Sequence, residues 1–218
     1  MSILKLFNKP KIIGICANVN AGKSNLLYHI INTLSKESKF SLYSYGLRSR
    51  INAKEQKIYS VEELEQIKNS IIIIDEFFSL FDIDNRKKRK MIEKTLRLIN
   101  HNNNILILAG LPENYKKFIS AKLDMIFFKK CTLSDFINGS RLKNIVTSYK
   151  GNELGSAVLN LNIDKALLFD GRHFNVIHVP YYKKYDSKKN NEDILKRTKK
   201  RSKKRVKRVQ TIVQNKTR

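Results

Sequence analysis

The 218-residue chain predicts a three-layer α/β fold, with helices on both faces of a mostly parallel central sheet. Three observations lead there. Residues 12–16 are an apolar run, followed by Ala17-Asn18-Val19-Asn20-Ala21-Gly22-Lys23-Ser24 and then a helical pattern over 25–34. That order of strand, loop and helix is the setting of a phosphate-cradling loop. Residues 71–74 are four consecutive isoleucines ending in Asp75-Glu76. An unbroken β-branched run suits a strand buried on both faces, as central parallel strands are. Finally, strand-like and helix-like segments alternate from residue 11 to about residue 129.

Each element has its own signal. After the first helix, FSLYSY at 40–45 reads as a second strand, with Arg48 beyond its carboxyl end. Ser60-Val61-Glu62-Glu63 resembles a capping box and opens a helix expected to reach about residue 68. The isoleucine strand follows. Arg86, Lys87, Lys88, Arg89 and Lys90 open a longer helix to about residue 100, whose Met91, Ile92, Leu96 and Ile99 share one face. Five basic residues there oppose the helix dipole, which favours acids at that end. Residues 101–104 form a turn, 105–109 (ILILA) a further buried strand, and Pro112 starts a helix to about residue 122. Residues 125–128 make a fifth strand. From 131 to 182 the expectation is a β-rich extension: a short helix at 133–137, then strands at 144–149, 157–159, 166–169 and 175–179. Asp170-Gly171-Arg172 is a hairpin turn between the last two.

Composition narrows the partners. The chain is 41% hydrophobic and carries a formal net charge of +25, which points to a polyanion. Sixteen Lys/Arg against three Asp/Glu fall in residues 183–218, leaving +12 for residues 1–182. A block so charged and so poor in apolar periodicity is expected to be disordered by itself and to bind nucleic acid by counterion release. An anionic membrane surface or a localisation signal remains the competing use. No apolar run reaches bilayer-spanning length and no signal peptide is apparent, so a cytoplasmic site is expected. Cys16 and Cys131 are too few for a disulfide framework.

The site residues follow from the chemistry. Backbone amides over residues 17–25, through Asn25, would surround phosphates at a helix N-terminus. Gly22 permits close approach, Lys23 reaches the outer phosphates, and Ser24 ligates Mg²⁺. Ala17, where the motif has glycine, requires the loop to start without positive φ. Asp75 would hold the metal's water shell, and Glu76 would orient and deprotonate the attacking water. ATP and Mg²⁺ are therefore the expected ligands.

The order of phosphate loop, Asp-Glu strand end, helix, strand with polar exit, helix and short strand resembles the additional-strand P-loop NTPases over roughly residues 11–129. Within them it is most similar to the FtsK/HerA superfamily of DNA pumps, which includes genome-packaging ATPases of membrane-containing viruses and zonula-occludens-toxin-like phage assembly ATPases. The resemblance implies ATP-driven DNA translocation or packaging by a homo-oligomeric ring in the host cytoplasm or virion, with a viral membrane or capsid protein as partner. It also implies a polar sensor at the end of the fourth strand, where Thr-Gln is replaced by Gly110-Leu111. Asn114 is the candidate substitute, and Arg141, with Arg48 second, the candidate arginine finger. Phage assembly ATPases usually carry a transmembrane segment, which this sequence lacks. Two alternatives stay open: a DnaC/IstB-like replication or transposition helper, and a nucleotide-switched DNA-binding protein.

Overall fold

β-Branched runs on alternate sides of glycine- and asparagine-rich turns build the sheet that organises this protein. The structure, a computed structural model, describes residues 7, 9–37, 41–47, 55–131, 133–136, 140–148 and 161–180. Arg48, the expected strand at 157–159 and the basic block 183–218 lie outside the described residues.

The strands are β1 (Lys11–Cys16), β2 (Ser41–Tyr45), β3 (Gln56–Lys57), β4 (Ser70–Asp75), β5 (Ile105–Gly110), β6 (Met125–Phe128), β7 (Lys165–Phe169) and β8 (Phe174–His178). They lie in the order β3-β2-β4-β5-β1-β6-β7-β8. Pairing is parallel from β3 to β6, while β6–β7 and β7–β8 are antiparallel. Thus β5 is an additional strand between β1 and β4. Its register sets Cys16 opposite Gly110 and Asp75 opposite Ala109, so three strand ends meet at one edge of the sheet.

Period-2 alternation divides the core into two layers. Ile13, Ile15, Ile71, Ile73, Ile105 and Ile107 face α1 (Lys23–Glu37), which presents Leu26, Leu27, Ile30, Ile31 and Leu34. Ile12, Ile72, Ile74, Leu106 and Leu108 face the other way. There they meet α2 (Phe77–Phe81), α3 (Arg86–His101), α4 (Lys117–Ser120) and α5 (Arg141–Ser148). Burial on both faces explains why β4 reads as isoleucine throughout and not as an alternating strand.

At the amino ends of the strands, the asparagine turn is structural. Asn104, fully buried, accepts from the Ser70 amide (3.0 Å) and donates to the Ile67 carbonyl (2.7 Å). Asn85 caps α3, its side-chain oxygen accepting from the amides of Lys87 and Lys88 at 3.0 and 3.4 Å. That cap satisfies the amides of a first turn whose charges oppose the dipole.

Some expectations are corrected. The strand expected at 144–149 is instead α5, because Leu142, Ile145 and Val146 recur at helical spacing and bury against the α2–α4 layer. Among the described residues the extension is therefore a 3₁₀ turn at Leu133–Asp135, within the short helix expected at 133–137, followed by α5 and one hairpin. The helix expected from Ser60 to 68 is only a 3₁₀ turn at Glu62–Glu65, and that after Pro112 is a 3₁₀ turn plus the four-residue α4. The hairpin turn at 170–172 is as expected: the Asp170 carboxylate accepts from the amides of Arg172 (3.0 Å) and His173 (2.7 Å). Those bonds, the His173 amide first, hold the Asp170 carboxyl below its ordinary pKa against the opposing effect of its own partial burial. No helix among the described residues is long and apolar enough to cross a membrane.

Candidate active site

The phosphate loop begins where β1 ends, and the sheet fixes its course. Ala17 donates its amide to the Gly110 carbonyl (3.2 Å) and Asn18 to that of Lys130 (3.3 Å), so the loop starts between β5 and the end of β6. Positive φ falls on Asn20 (61°) and Gly22 (84°), not on Ala17, so a Cβ at that first position is accommodated. Asn20 sits in a region that asparagine tolerates better than most residues. The Gly22 carbonyl then accepts from Leu26 (3.1 Å), opening α1.

Lys23, on the first turn of α1, is 9% exposed. Its ammonium pairs with the Glu76 carboxylate and lies 3.8 Å from Asp75 Oδ1. Residues 53 positions apart are joined because β1 and β4 flank the same strand and end at the same edge. Asp75 accepts from the Glu76 amide at 3.1 Å. Glu76 adopts φ 55°, ψ 50°, the left-handed region, as the chain leaves β4 directly into α2. Non-glycine residues rarely pay that conformational cost except where a site demands it. Ser79 donates its hydroxyl to the Glu76 carbonyl (2.8 Å) and lies 3.3 Å from the Tyr45 hydroxyl.

The remaining site residues divide. Asn18 donates to Asp135 (2.5 Å) and Asn25 to the Pro180 carbonyl (2.7 Å), so both have intramolecular partners at the loop's edges. Ser24 is half-buried beside Lys23, and Val19 projects outward, 74% exposed. Asn114, the expected sensor substitute, lies just past β5 in the 3₁₀ turn at Pro112–Asn114. It lines a recess with Phe78, Ser79, Asp82 and Lys88, and Ser79 is the residue whose hydroxyl bonds the Glu76 carbonyl. Arg141 donates to the carbonyls of Ser120 and Leu123, joining α5 to the end of α4. Those bonds engage its guanidinium within its own chain.

The missing sensor has a steric counterpart. A Cβ built on Gly110 would lie 2.6 Å from Cε1 of Phe77, whose ring also packs on Tyr115 at 4.9 Å. The space where a Thr side chain would begin is filled by an aromatic ring from α2. Glycine at that position is a packing requirement.

Two participants escaped the sequence. Gly46, with φ 76°, follows β2; a Cβ there would collide with the backbone oxygen of Asp75. The Tyr-Gly strand end was its visible signal. Lys129, just past β6, is fully buried and reaches the phosphate loop from below. Burial drives its ammonium pKa from 10.5 down to about 8, against the pull of Asp164. Nothing in the run FFKK distinguished it from an exposed strand-end lysine.

No protein-family model matches the sequence, and no curated protein sequence matches it. Solved structures do. The genome packaging NTPase B204 of Sulfolobus turreted icosahedral virus 2, in complex with sulfate, is 18% identical, with a TM-score of 0.58 over 80% of this chain and 98% of that one. The same protein in complex with AMPPCP gives 0.57 at 18% identity, over 79% and 98%. The cytoplasmic domain of the type VII secretion ATPase EccC from Thermomonospora curvata gives 0.56 at 10% identity, over 82% of this chain and 24% of that longer one. With a mostly parallel sheet that carries an additional strand between the phosphate-loop strand and the Asp-Glu strand, the chain has the fold of these packaging and secretion ATPases.

Proposed function

We propose that the chain hydrolyses ATP and uses it to move or package DNA as a homo-oligomeric ring. The observation that carries the catalytic half is the meeting of Lys23, Asp75 and Glu76 at the carboxyl ends of β1 and β4. In the structure Lys23 pairs with Glu76. A triphosphate, with several negative charges, competes for that ammonium and frees the Glu76 carboxylate to face water. Water then attacks the γ-phosphorus, its proton passes to Glu76, and the bond to the β–γ bridging oxygen breaks to leave ADP and phosphate. Amides over residues 17–25 hold the phosphates, with the dipole of α1 behind them. The Ser24 hydroxyl and the nearly buried Asp75 carboxylate are hard oxygen donors that fit Mg²⁺, which when bound would neutralise phosphate charge.

The DNA half rests on charge and likeness. Arg86, Lys87 and Lys90 are exposed on the first turns of α3, and residues 183–218 carry +13 in sequence. Lys88 and Arg89 also have local partners, Asp82 at 3.2 Å and Glu93 at 3.0 Å. B204, similar over four-fifths of this chain, is a DNA-packaging ATPase. A host-cytoplasmic or virion-associated protein with a viral membrane or capsid partner fits that reading.

Steady-state hydrolysis with and without single- and double-stranded DNA tests it. Turnover is expected to rise with DNA; K23A should abolish hydrolysis while leaving the fold intact, and E76Q should bind ATP and stall. Hydrolysis indifferent to every DNA form in an oligomeric preparation would refute the motor. The packing of Phe77 on Gly110 favours one second reading, a slow nucleotide switch that tolerates E76Q.

A further inference from the structure

We propose that Lys129 is a positioning residue for the phosphate loop, tying the turn before β7 against Gly22 so that the loop amides stay arranged for phosphate. This rests on the ATP-binding reading above.

The geometry is specific. The Lys129 amide donates to the Cys16 carbonyl (2.9 Å), carrying the β1–β6 pairing to the first residue before the loop. The side chain then runs beneath the loop, fully buried, and its ammonium donates to the carbonyls of Ile163 and Lys165, the latter at 2.7 Å. A Cβ built on Gly22 would lie 3.1 Å from Ile163 Cγ1, 3.3 Å from Lys129 Cε and 3.5 Å from the Ile163 oxygen. Gly22 therefore rests on both the lysine stem and the turn that the lysine holds. A methionine could fill this space without desolvating a cation, and a buried ammonium is costly unless its bonds do something an apolar stem cannot. Here they fix the carbonyl of Ile163 in the turn and that of Lys165 at the start of β7, and they place a positive charge behind amides meant for phosphate. Ile163 itself stays 56% exposed, so its own side chain does not anchor the turn, which Leu161 enters from the core and the Val179 amide closes on the Asp164 carbonyl (2.6 Å). The Asn25–Pro180 bond ties the other end of the same hairpin to α1.

The experiment compares wild type with K129M, K129R and I163G, reading amide hydrogen exchange in the nucleotide-free protein and ATP kinetics. In K129M, exchange over residues 20–24 is expected to quicken about tenfold while β4 amides stay protected. KM for ATP should rise about tenfold with kcat within a factor of two, since loop order affects binding before chemistry. K129R, which keeps a charged donor, should recover part of the loop protection. A lysine that only stabilises the hairpin would speed loop and β4 exchange together and leave KM unchanged, and either result overturns the proposal. Should K129M fail to fold, I163G decides: its exposed position spares the core, and unchanged loop exchange there overturns the proposal. If wild type neither binds nor hydrolyses ATP, the functional reading fails, while the nucleotide-free exchange comparison still settles the role of Lys129.

Discussion

Glu76 combines the catalytic carboxylate with a left-handed backbone, φ 55° and ψ 50°, and replacing it separates the two. The conformation costs an L-residue about 1–2 kcal/mol, because Cβ crowds the following carbonyl. Glycine escapes that cost but loses about 0.5–1 kcal/mol more chain entropy on folding than alanine. E76A and E76G both remove the pairing with Lys23, which is screened because the Glu76 side chain is 45% exposed, so that contribution cancels between them. Midpoint against midpoint, the remaining difference predicts E76G to be more stable than E76A by about 0.75 kcal/mol. For a domain of this size that corresponds to a melting temperature about 1–4 °C higher. Urea titration and thermal melting without nucleotide measure it, and steady-state assays should show both variants slowed at least about a hundredfold. Equal stability, or E76A the more stable, would refute the strain assigned to this residue. Near-wild-type turnover by E76A would refute its role as base.

Further predictions concern the residues around it. G46A places a Cβ at φ 76° against the Asp75 oxygen, so it should lose at least about 1–2 kcal/mol and need more Mg²⁺ for half-maximal turnover; a wild-type melt and Mg²⁺ titration would contradict this. G110T, which places threonine where the sequence resemblance expects a sensor, should lose about 1–3 kcal/mol from the clash with Phe77 and gain no turnover. Lys129 predicts a pH effect of definite sign. Its folded pKa of about 8 lies below the ordinary 10.5, so between those values the unfolded chain binds more protons and stability rises with pH. Asp164 opposes the shift without reversing it. Denaturation midpoints at pH 7.5 and 9.5 should therefore diverge more for wild type than for K129M, and parallel changes would argue against a buried ammonium.

How much was legible in the sequence varied with how local the signal was. The isoleucine run of β4 declared a doubly covered strand because burial on both faces removes polar alternation. The hairpin turn at 170–172 was legible because Asp and Gly act on their own backbone. At 144–149, by contrast, β-branched residues suggested a strand, but Leu142, Ile145 and Val146 found an apolar layer at helical spacing, and tertiary burial overrode propensity. The 3₁₀ turn at Glu62–Glu65 is another case: Val61, Leu64 and Ile67 are all buried, at the three-residue spacing of a 3₁₀ turn, and the long helix expected to residue 68 does not form.

By itself the sequence determined the chemistry of the loop and of the Asp-Glu strand end, because phosphate binding and water activation need particular atoms at short spacing along the chain. Only the tertiary structure decided which distant residues serve them. Lys23 meets Glu76 across the inserted β5, Phe77 fills the sensor position through the path of α2, Arg141 is held by the carbonyls of Ser120 and Leu123, and Lys129, from the end of β6, packs against Gly22. Those relations depend on strand order and side-chain packing across the sheet, which are set by contacts between segments and leave no local pattern to read.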